Sequence, residues 1–122
     1  MPKFSDRSKL RLLECHPLIQ EVMNEAIKYV DFMIVCGYRG KEDQDRAYRE
    51  GKSNVTFPNS KHNNSPSLAV DIAPYPTLYS NEYEFWYVAG VIMCIAKQLQ
   101  IPLRWGGRWK TLRDTPHFEL EI

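Results

Sequence analysis

The sequence lacks the features that would assign it to several common classes. Its longest apolar stretches are far shorter than a membrane-spanning helix requires. Neither sign of charge dominates, since 16 Lys and Arg residues oppose 15 Asp and Glu residues and leave a net charge of +1. This balance argues against a general nucleic-acid-binding protein, which normally carries a basic excess. The first residues, MPKFSDRSKLRLLE, contain no apolar signal core, so we expect a cytoplasmic protein that another agent releases.

Cysteine is scarce, and its spacing is uninformative about metal or disulfide chemistry. Cys15, Cys36 and Cys94 are odd in number, lie in separate apolar segments and form no C-x-x-C pair. A disulfide framework and a structural zinc knuckle are therefore not indicated. We predict three buried free thiols in a reducing compartment.

The composition that is present is that of one globular domain. The 122 residues are 43% hydrophobic and 25% charged, which argues against disorder and allows a core without covalent staples. We therefore predict a single domain over residues 1–122.

Hydrophobic periodicity predicts a mixture of helices and strands. Apolar residues recur at helical spacing from Leu18 to Val30, after a first-turn proline, and along a helix that Ser80 caps and that runs to about Gln100. A charged helix is predicted over 41–50, and a polar loop over 52–67. Short β-prone runs predict strands at 32–36, 68–73, 103–105 and 117–122. Because regular βαβ alternation is missing, we predict an α+β fold.

Only three histidines are available for chemistry. His16 precedes Pro17 at a helix start, where we expect a surface or capping role. His62 lies in the polar loop, and His117 opens the last predicted strand. Asp71 lies inside the apolar run LAVDIA, where burying a carboxylate is costly unless it is paired or bound to a metal.

Strand alternation separates these residues from the predicted core. Asp71 shares a face with two alanines, opposite Leu68, Val70 and Ile72. In the last strand, His117 shares the face of two glutamates, opposite the apolar side chains. Each strand thus offers a metal-ligating residue type on the face away from the core.

Two imidazoles and one carboxylate form the ligand set of many catalytic zinc sites. Such a site needs a nearby proton acceptor, and Asp114 is a candidate because the Thr115-Pro116 pair can bend the chain toward His117. A structural salt bridge for Asp71 and a solvated Asp114 are the alternatives that spacing leaves open.

Four sequence blocks, in matching order from about Met33 to Leu120, resemble one enzyme family. SKH at 60–62 followed by AVDI at 69–72 resembles the S-x-H…A-x-D signature of zinc-dependent peptidoglycan peptidases of the D-Ala-D-Ala carboxypeptidase and VanY type. DTPHFEL at 114–120 is similar to the family's acid-x-x-H block, and GYR at 37–39 with Gln44 is similar to its G-[YF]-R…Q segment. LRWGG at 103–107 resembles the stretch before the last ligand.

The resemblance implies a role for each matching residue. It implies one zinc ion held by His62, Asp71 and His117, with Asp114 as the catalytic acid/base and Arg39 holding the substrate carbonyl or developing oxyanion. It also implies the family's α+β fold, a small antiparallel sheet flanked by helices, as in D,D-peptidases and Hedgehog domains.

Other candidates to orient a metal ligand or to bind substrate are Ser60, Gln44, Glu119 and Trp105. Tyr75 and Trp109 are further candidates to line a cleft. For each, a structural alternative stands: a loop cap for Ser60, an exposed strand carboxylate for Glu119, and core packing for the aromatics.

The small size makes the chain most similar to phage endolysins that cut the L-alanyl-D-glutamate bond of the stem peptide. We therefore expect a monomer acting on bacterial peptidoglycan, with no nucleic-acid partner and no membrane insertion, that reaches the wall through a holin-type permeabiliser. The alternatives are a D,D-carboxypeptidase that releases terminal D-Ala and a non-catalytic wall-binding or virion module. The chain departs from the family in a longer His62–Asp71 interval and in Arg108, where many relatives carry an acid.

Overall fold

A computed structural model describes residues 1–111 and 113–122 as helices arranged around one sheet. The helices are α1 (Asp6–Leu13), α2 (Pro17–Ala26), α3 (Lys41–Arg49) and α4 (Glu82–Gln98), and the strands are β1 (Phe32–Cys36), β2 (Ala69–Pro74), β3 (Leu103–Trp105) and β4 (His117–Leu120). Two short 3₁₀ turns occupy Lys61–Asn63 and Gly106–Arg108.

The strands form an antiparallel sheet in the order β1-β2-β4-β3, so β2 and β4 lie at its centre. Val70, Ile72, Phe118 and Leu120 are fully buried in the core that the sheet shares with α2 and α4. Burying each such side chain contributes roughly 1.5–3 kcal/mol, which makes the central strands a firm base for the site. The predicted α+β fold with a small antiparallel sheet is confirmed.

Helix α1 was not predicted from the sequence. It buries only Ser8 and Leu12, so it adds one apolar side chain to the core. Its polar side chains instead satisfy the edge of β1: the Ser8 hydroxyl accepts from the Ile34 amide at 3.0 Å, and Arg11 donates to the Ile34 carbonyl at 3.0 Å. Because an unpaired strand edge needs hydrogen-bond partners, α1 completes the sheet through polar contacts.

Several predicted boundaries and caps need correction. The second helix ends at Ala26 rather than Val30. The cap of α4 is Asn81, whose side chain accepts from the Tyr83 amide at 3.0 Å, while the Ser80 hydroxyl donates to a preceding turn carbonyl. The expected capping role of His16 is confirmed, since its Nδ1 accepts the Leu18 amide at 3.1 Å.

The prediction of three buried thiols holds for Cys15 alone. Cys36 is half-buried, and Cys94 is exposed. Cys94 was misassigned because α4 is apolar over most of its surface, and its core-facing positions, Ile92 and Ile95, lie on either side of the cysteine in the helical sequence. No helix in the described part of the chain is both long and apolar enough to cross a membrane.

Candidate active site

The centre of the sheet brings three potential metal ligands into one row. Asp71 of β2 pairs with His117 of β4 on one side and with Cys36 of β1 on the other. The pairing of β1 shifts between Ile34 and Cys36, as in a β-bulge. The Cys36 thiol consequently lies near His62 and Arg39, which also contact Asp71. Cys36, Asp71 and His117 form a row across three strands.

His62 reaches this row from the 3₁₀ turn Lys61–Asn63. Ser60 caps the turn, because its hydroxyl accepts the His62 amide at 3.2 Å. Nδ1 of His62 lies 2.8 Å from the carbonyl oxygen of Gly37, which assigns the ring proton to Nδ1 as the donor. The opposite nitrogen, Nε2, is buried with no hydrogen-bond partner among the described residues, and Asp71 Oδ1 lies 3.3 Å away.

The carbonyl that orients His62 depends on a glycine. A Cβ atom at Gly37 would lie 2.5 Å from the carbonyl oxygen of Arg11, closer than real Cβ contacts allow. The Gly37 carbonyl also accepts the hydroxyl of Ser67 at 3.2 Å. The close approach of α1 to this position therefore fixes the acceptor on which the His62 ring depends.

His117 is held by carboxylates on both sides of its ring. Its Nδ1 lies 3.2 Å from Asp71 Oδ1, and its Nε2 lies 2.8 Å from Glu119 Oε1. Glu119 is also bound by the Arg104 guanidinium, and Lys61 Nζ lies 3.7 Å from it. Burial opposes ionisation of Glu119, but the hydrogen bonds from His117 and Arg104 outweigh it and lower its pKa to about 2. Glu119 is thus a buried, ionised partner of His117 rather than an exposed strand carboxylate.

Asp71 and His62 stabilise each other's charge. Burial alone would disfavour both charged forms, yet the attraction between the two groups outweighs burial and holds the pKa of Asp71 well below its usual range. The same attraction raises the pKa of His62 to about 10. Asp71 is therefore a permanent anion beside two imidazoles, the electrostatic arrangement that favours a bound cation.

Asp114 lies at the edge of this cluster. Its backbone carbonyl accepts the His117 amide at 3.1 Å, which closes the bend expected at Thr115-Pro116. One oxygen of Asp114 lies within 4.8 Å of ligand atoms of Asp71 and His117. Burial, followed by the nearby Asp71 charge, raises the pKa of Asp114, while the neighbouring cations moderate the effect.

Arg39 contacts Oδ2 of the Asp71 carboxylate, whereas both histidines face Oδ1. Its Nη2 donates to Asp71 Oδ2 at 3.4 Å, and its Nη1 donates to Gln44 Oε1 at 3.1 Å. Gln44 is fully buried, and its amide donates to the Ser53 hydroxyl and the Val55 carbonyl. Gln44 thus connects the Arg39 guanidinium to residues 53–55. It is not among the described residues that line the cavity above the site.

An open cavity of about 920 Å³ lies over the cluster. The predicted site residues that line it are Arg39, Ser60, His62, Asp71, Trp109, Asp114, His117 and Glu119. Trp105 instead donates its indole N–H to the Thr115 carbonyl at 2.7 Å, so it supports the bend before β4. Trp105 and Tyr75 are not among the described lining residues, which corrects their expected place in the cleft.

The donor set fits a divalent cation. Two three-residue groups that share Asp71 have ligand atoms within 4.8 Å of one another: Cys36–His62–Asp71 and Asp71–Asp114–His117. Nε2 of His62 faces a carboxylate oxygen of Asp71 at 3.3 Å. Without a metal the raised pKa of His62 keeps a proton at this contact, and a cation can take the place of that proton. The residues therefore fit a metal ion.

Sequence reasoning missed two contributors to this cluster. Regular alternation puts Cys36 on the face of the buried Ile34, and only the register shift in β1 turns it toward Asp71. Arg104 is one of several surface-compatible charges in the sequence, and its pairing with Glu119 depends on the β3–β4 register. Neither a register shift nor a strand register has a local sequence signal here.

Known proteins resemble this chain over most of its length. It is 28% identical over 127 aligned residues to the peptidoglycan L-alanyl-D-glutamate endopeptidase CwlK of Bacillus subtilis, covering 88% of this chain and 74% of CwlK. The L-Ala D-Glu endopeptidase ChiX of Serratia marcescens superposes with a TM-score of 0.83 at 30% identity, covering 97% of this chain and 90% of ChiX. The vancomycin-resistance D,D-dipeptidase VanXYg shares the fold, with a TM-score of 0.52 at 18% identity over 84% of this chain and 47% of that one. Residues 1–121 match the model of the phage L-alanyl-D-glutamate peptidase family, and the chain belongs to that family.

Proposed function

We propose that this protein is a zinc-dependent endopeptidase that hydrolyses the L-alanyl-D-glutamate bond of the peptidoglycan stem peptide. The observation that carries the proposal is that the buried Nε2 of His62, which forms no hydrogen bond within the described part of the chain, faces the same Asp71 oxygen as Nδ1 of His117. Family membership and the names of CwlK and ChiX support the substrate and the reaction.

His62, Asp71 and His117 are the residues that would hold the zinc ion, through Nε2, a carboxylate oxygen and Nδ1. Two neutral imidazoles and one carboxylate leave a doubly charged ion with net positive charge, the usual composition of catalytic zinc sites. When bound, zinc supplies Lewis-acid polarisation of the scissile carbonyl and makes a water molecule acidic near neutral pH. Glu119 orients the imidazole of His117 by accepting a hydrogen bond from its Nε2–H group at 2.8 Å.

Asp114 acts as the acid/base of the reaction. Its carboxylate accepts a proton from the attacking water, and the same group then donates that proton to the leaving amine. The half-buried setting that raises its pKa makes it a stronger base than an exposed aspartate. The guanidinium of Arg39, fixed by Gln44, stabilises the negative charge that develops on the carbonyl oxygen.

Digestion of purified peptidoglycan by the zinc-loaded protein tests this function. Mass spectrometry should find a new free α-amino group on D-Glu, and EDTA should abolish its formation. Release of D-Ala would identify a D,D-carboxypeptidase, and a wall that binds protein without any product would identify a binding module. His16→Ala is the matched histidine control, because His16 caps α2 and should leave turnover intact.

We also propose that the enzyme acts from the bacterial cytoplasm and reaches the wall when a holin-type protein permeabilises the inner membrane. The phage family to which the chain belongs supports this route. Expression of the enzyme alone should be tolerated, and co-expression with a holin should cause lysis. Lysis of intact cells by the enzyme alone would contradict the proposal.

A further inference from the structure

We propose that Cys36, His62 and Asp71 form a second coordination set, overlapping the first, that captures thiophilic divalent cations such as Cd²⁺. The inference rests on the proposed function in one respect, because it shares His62 and Asp71 with the proposed zinc site. Its new element is the thiol of β1, which has no part in the peptidase mechanism above.

The geometry of the thiol carries the first step. Sγ of Cys36 lies 4.0 Å from Nδ1 of His62, and the ligand atoms of Cys36, His62 and Asp71 all lie within 4.8 Å of one another. The register pairs Cys36 directly with Asp71, on the side opposite His117. The thiol therefore flanks the shared carboxylate, and a cation has a choice of partner on either side of it.

Two observations support a cation at this flank, and the first of them is shared with the proposed zinc site. The buried Nε2 of His62 has no hydrogen-bond partner among the described residues. In addition, a positive group already lies between the sulfur and the carboxylate: Nη2 of Arg39 is 3.8 Å from Cys36 Sγ and 3.4 Å from Asp71 Oδ2. Both contacts are long, so an incoming metal ion can replace them while the guanidinium keeps its bond to Gln44.

The donor types decide which metal uses each set. Thiolate is a soft ligand that selects polarisable cations, whereas the imidazole and carboxylate set suits zinc at a catalytic position. When Cd²⁺ binds, a Cd–S bond forms and the thiol proton is released to solvent. Because His62 and Asp71 belong to both sets, Cd²⁺ and Zn²⁺ exclude each other, and Cd²⁺ also displaces Arg39 from Asp71.

The other two cysteines provide the controls for a binding experiment on the full-length protein. Cys94 is exposed and would add its own thiolate signal, so Cys94→Ser serves as the parent. Cys15 is buried, and burial raises the pKa of its thiol to about 12, so it remains a protonated bystander. CdCl₂ is titrated into this parent and into the same protein carrying Cys36→Ser, with circular dichroism to verify the fold.

We expect the parent to develop an ultraviolet thiolate-to-cadmium charge-transfer band and Cys36→Ser to lose it, with Cd²⁺ affinity reduced about tenfold or more. Total metal should stay at one ion per chain when Zn²⁺ and Cd²⁺ are supplied together. A band that survives in Cys36→Ser, or two ions bound at once, would overturn the inference. Either result leaves the proposed function intact, because peptidoglycan hydrolysis by the zinc-loaded protein is measured separately.

Discussion

Replacing Asp114 by asparagine separates catalysis from metal binding. The change keeps the shape of the side chain but removes its ability to accept a proton. Asp114 lies within 4.8 Å of ligand atoms of Asp71 and His117, a distance that one water can bridge with two hydrogen bonds of about 2.6–3.2 Å. The mutation therefore removes the base without removing a ligand of the proposed zinc site.

We expect Asp114→Asn to lower kcat strongly and to leave the stability of the fold undiminished. A positioned acid/base contributes about a hundredfold to ten-thousandfold, so kcat should fall at least about a hundredfold. That fall corresponds to about 2.7 kcal/mol of transition-state stabilisation. Folding raises the pKa of Asp114, so its ionised form destabilises the folded protein at neutral pH. The neutral amide removes this cost, and the Tm of the metal-free protein should stay the same or rise.

Three quantities are measured for Asp114→Asn and for the unchanged protein: the rate of peptidoglycan hydrolysis, the zinc content and the Tm of thermal unfolding. Asp31→Asn, at an exposed position outside the cavity lining, is the matched control and should leave all three unchanged. If Asp114→Asn loses its zinc, or retains near-normal turnover, the acid/base role of Asp114 is wrong.

Three further changes test the supports of the site. Asp71→Asn should lose zinc on dialysis, since a neutral amide is a poor ligand, and zinc retained at one ion per chain would refute its role. Gly37→Ala should destabilise the fold by about 1–3 kcal/mol in urea unfolding, because the new Cβ meets the Arg11 carbonyl at 2.5 Å. Gly90→Ala is its control, since a Cβ there meets nothing within 4 Å, and equal effects of the two would contradict the steric argument. Glu119→Gln should weaken zinc binding about 10- to 100-fold in a chelator competition, and unchanged affinity would show that Glu119 does not tune the β4 imidazole.

The sequence was sufficient for much of the fold and for the family. Strong periodicity and turn residues predicted α2, α3 and α4, and short β-prone runs predicted all four described strands. Asp71 could be singled out because a carboxylate inside an apolar strand is costly and therefore informative. The motif resemblance to zinc peptidoglycan peptidases is confirmed at the level of the family.

The features that escaped prediction depend on tertiary contacts. Helix α1 is held to the edge of β1 by hydrogen bonds of Ser8 and Arg11, and hydrophobic periodicity carries no information about such contacts. Cys36 reaches the cluster through a register shift, a property of the pairing with β2 rather than of β1 alone. The residue type of Trp105 favoured a place in the cleft, but its indole N–H donates to the Thr115 carbonyl in the bend before β4.

The location of the metal tests the central claim most directly. Crystals of the zinc-loaded protein, measured at the zinc absorption edge, should give one anomalous peak per chain. The peak should lie about 2.0–2.1 Å from His62 Nε2 and His117 Nδ1, and about 2.0–2.2 Å from an Asp71 oxygen. A fully occupied zinc ion elsewhere, with the two imidazoles turned away from each other, would contradict the assignment.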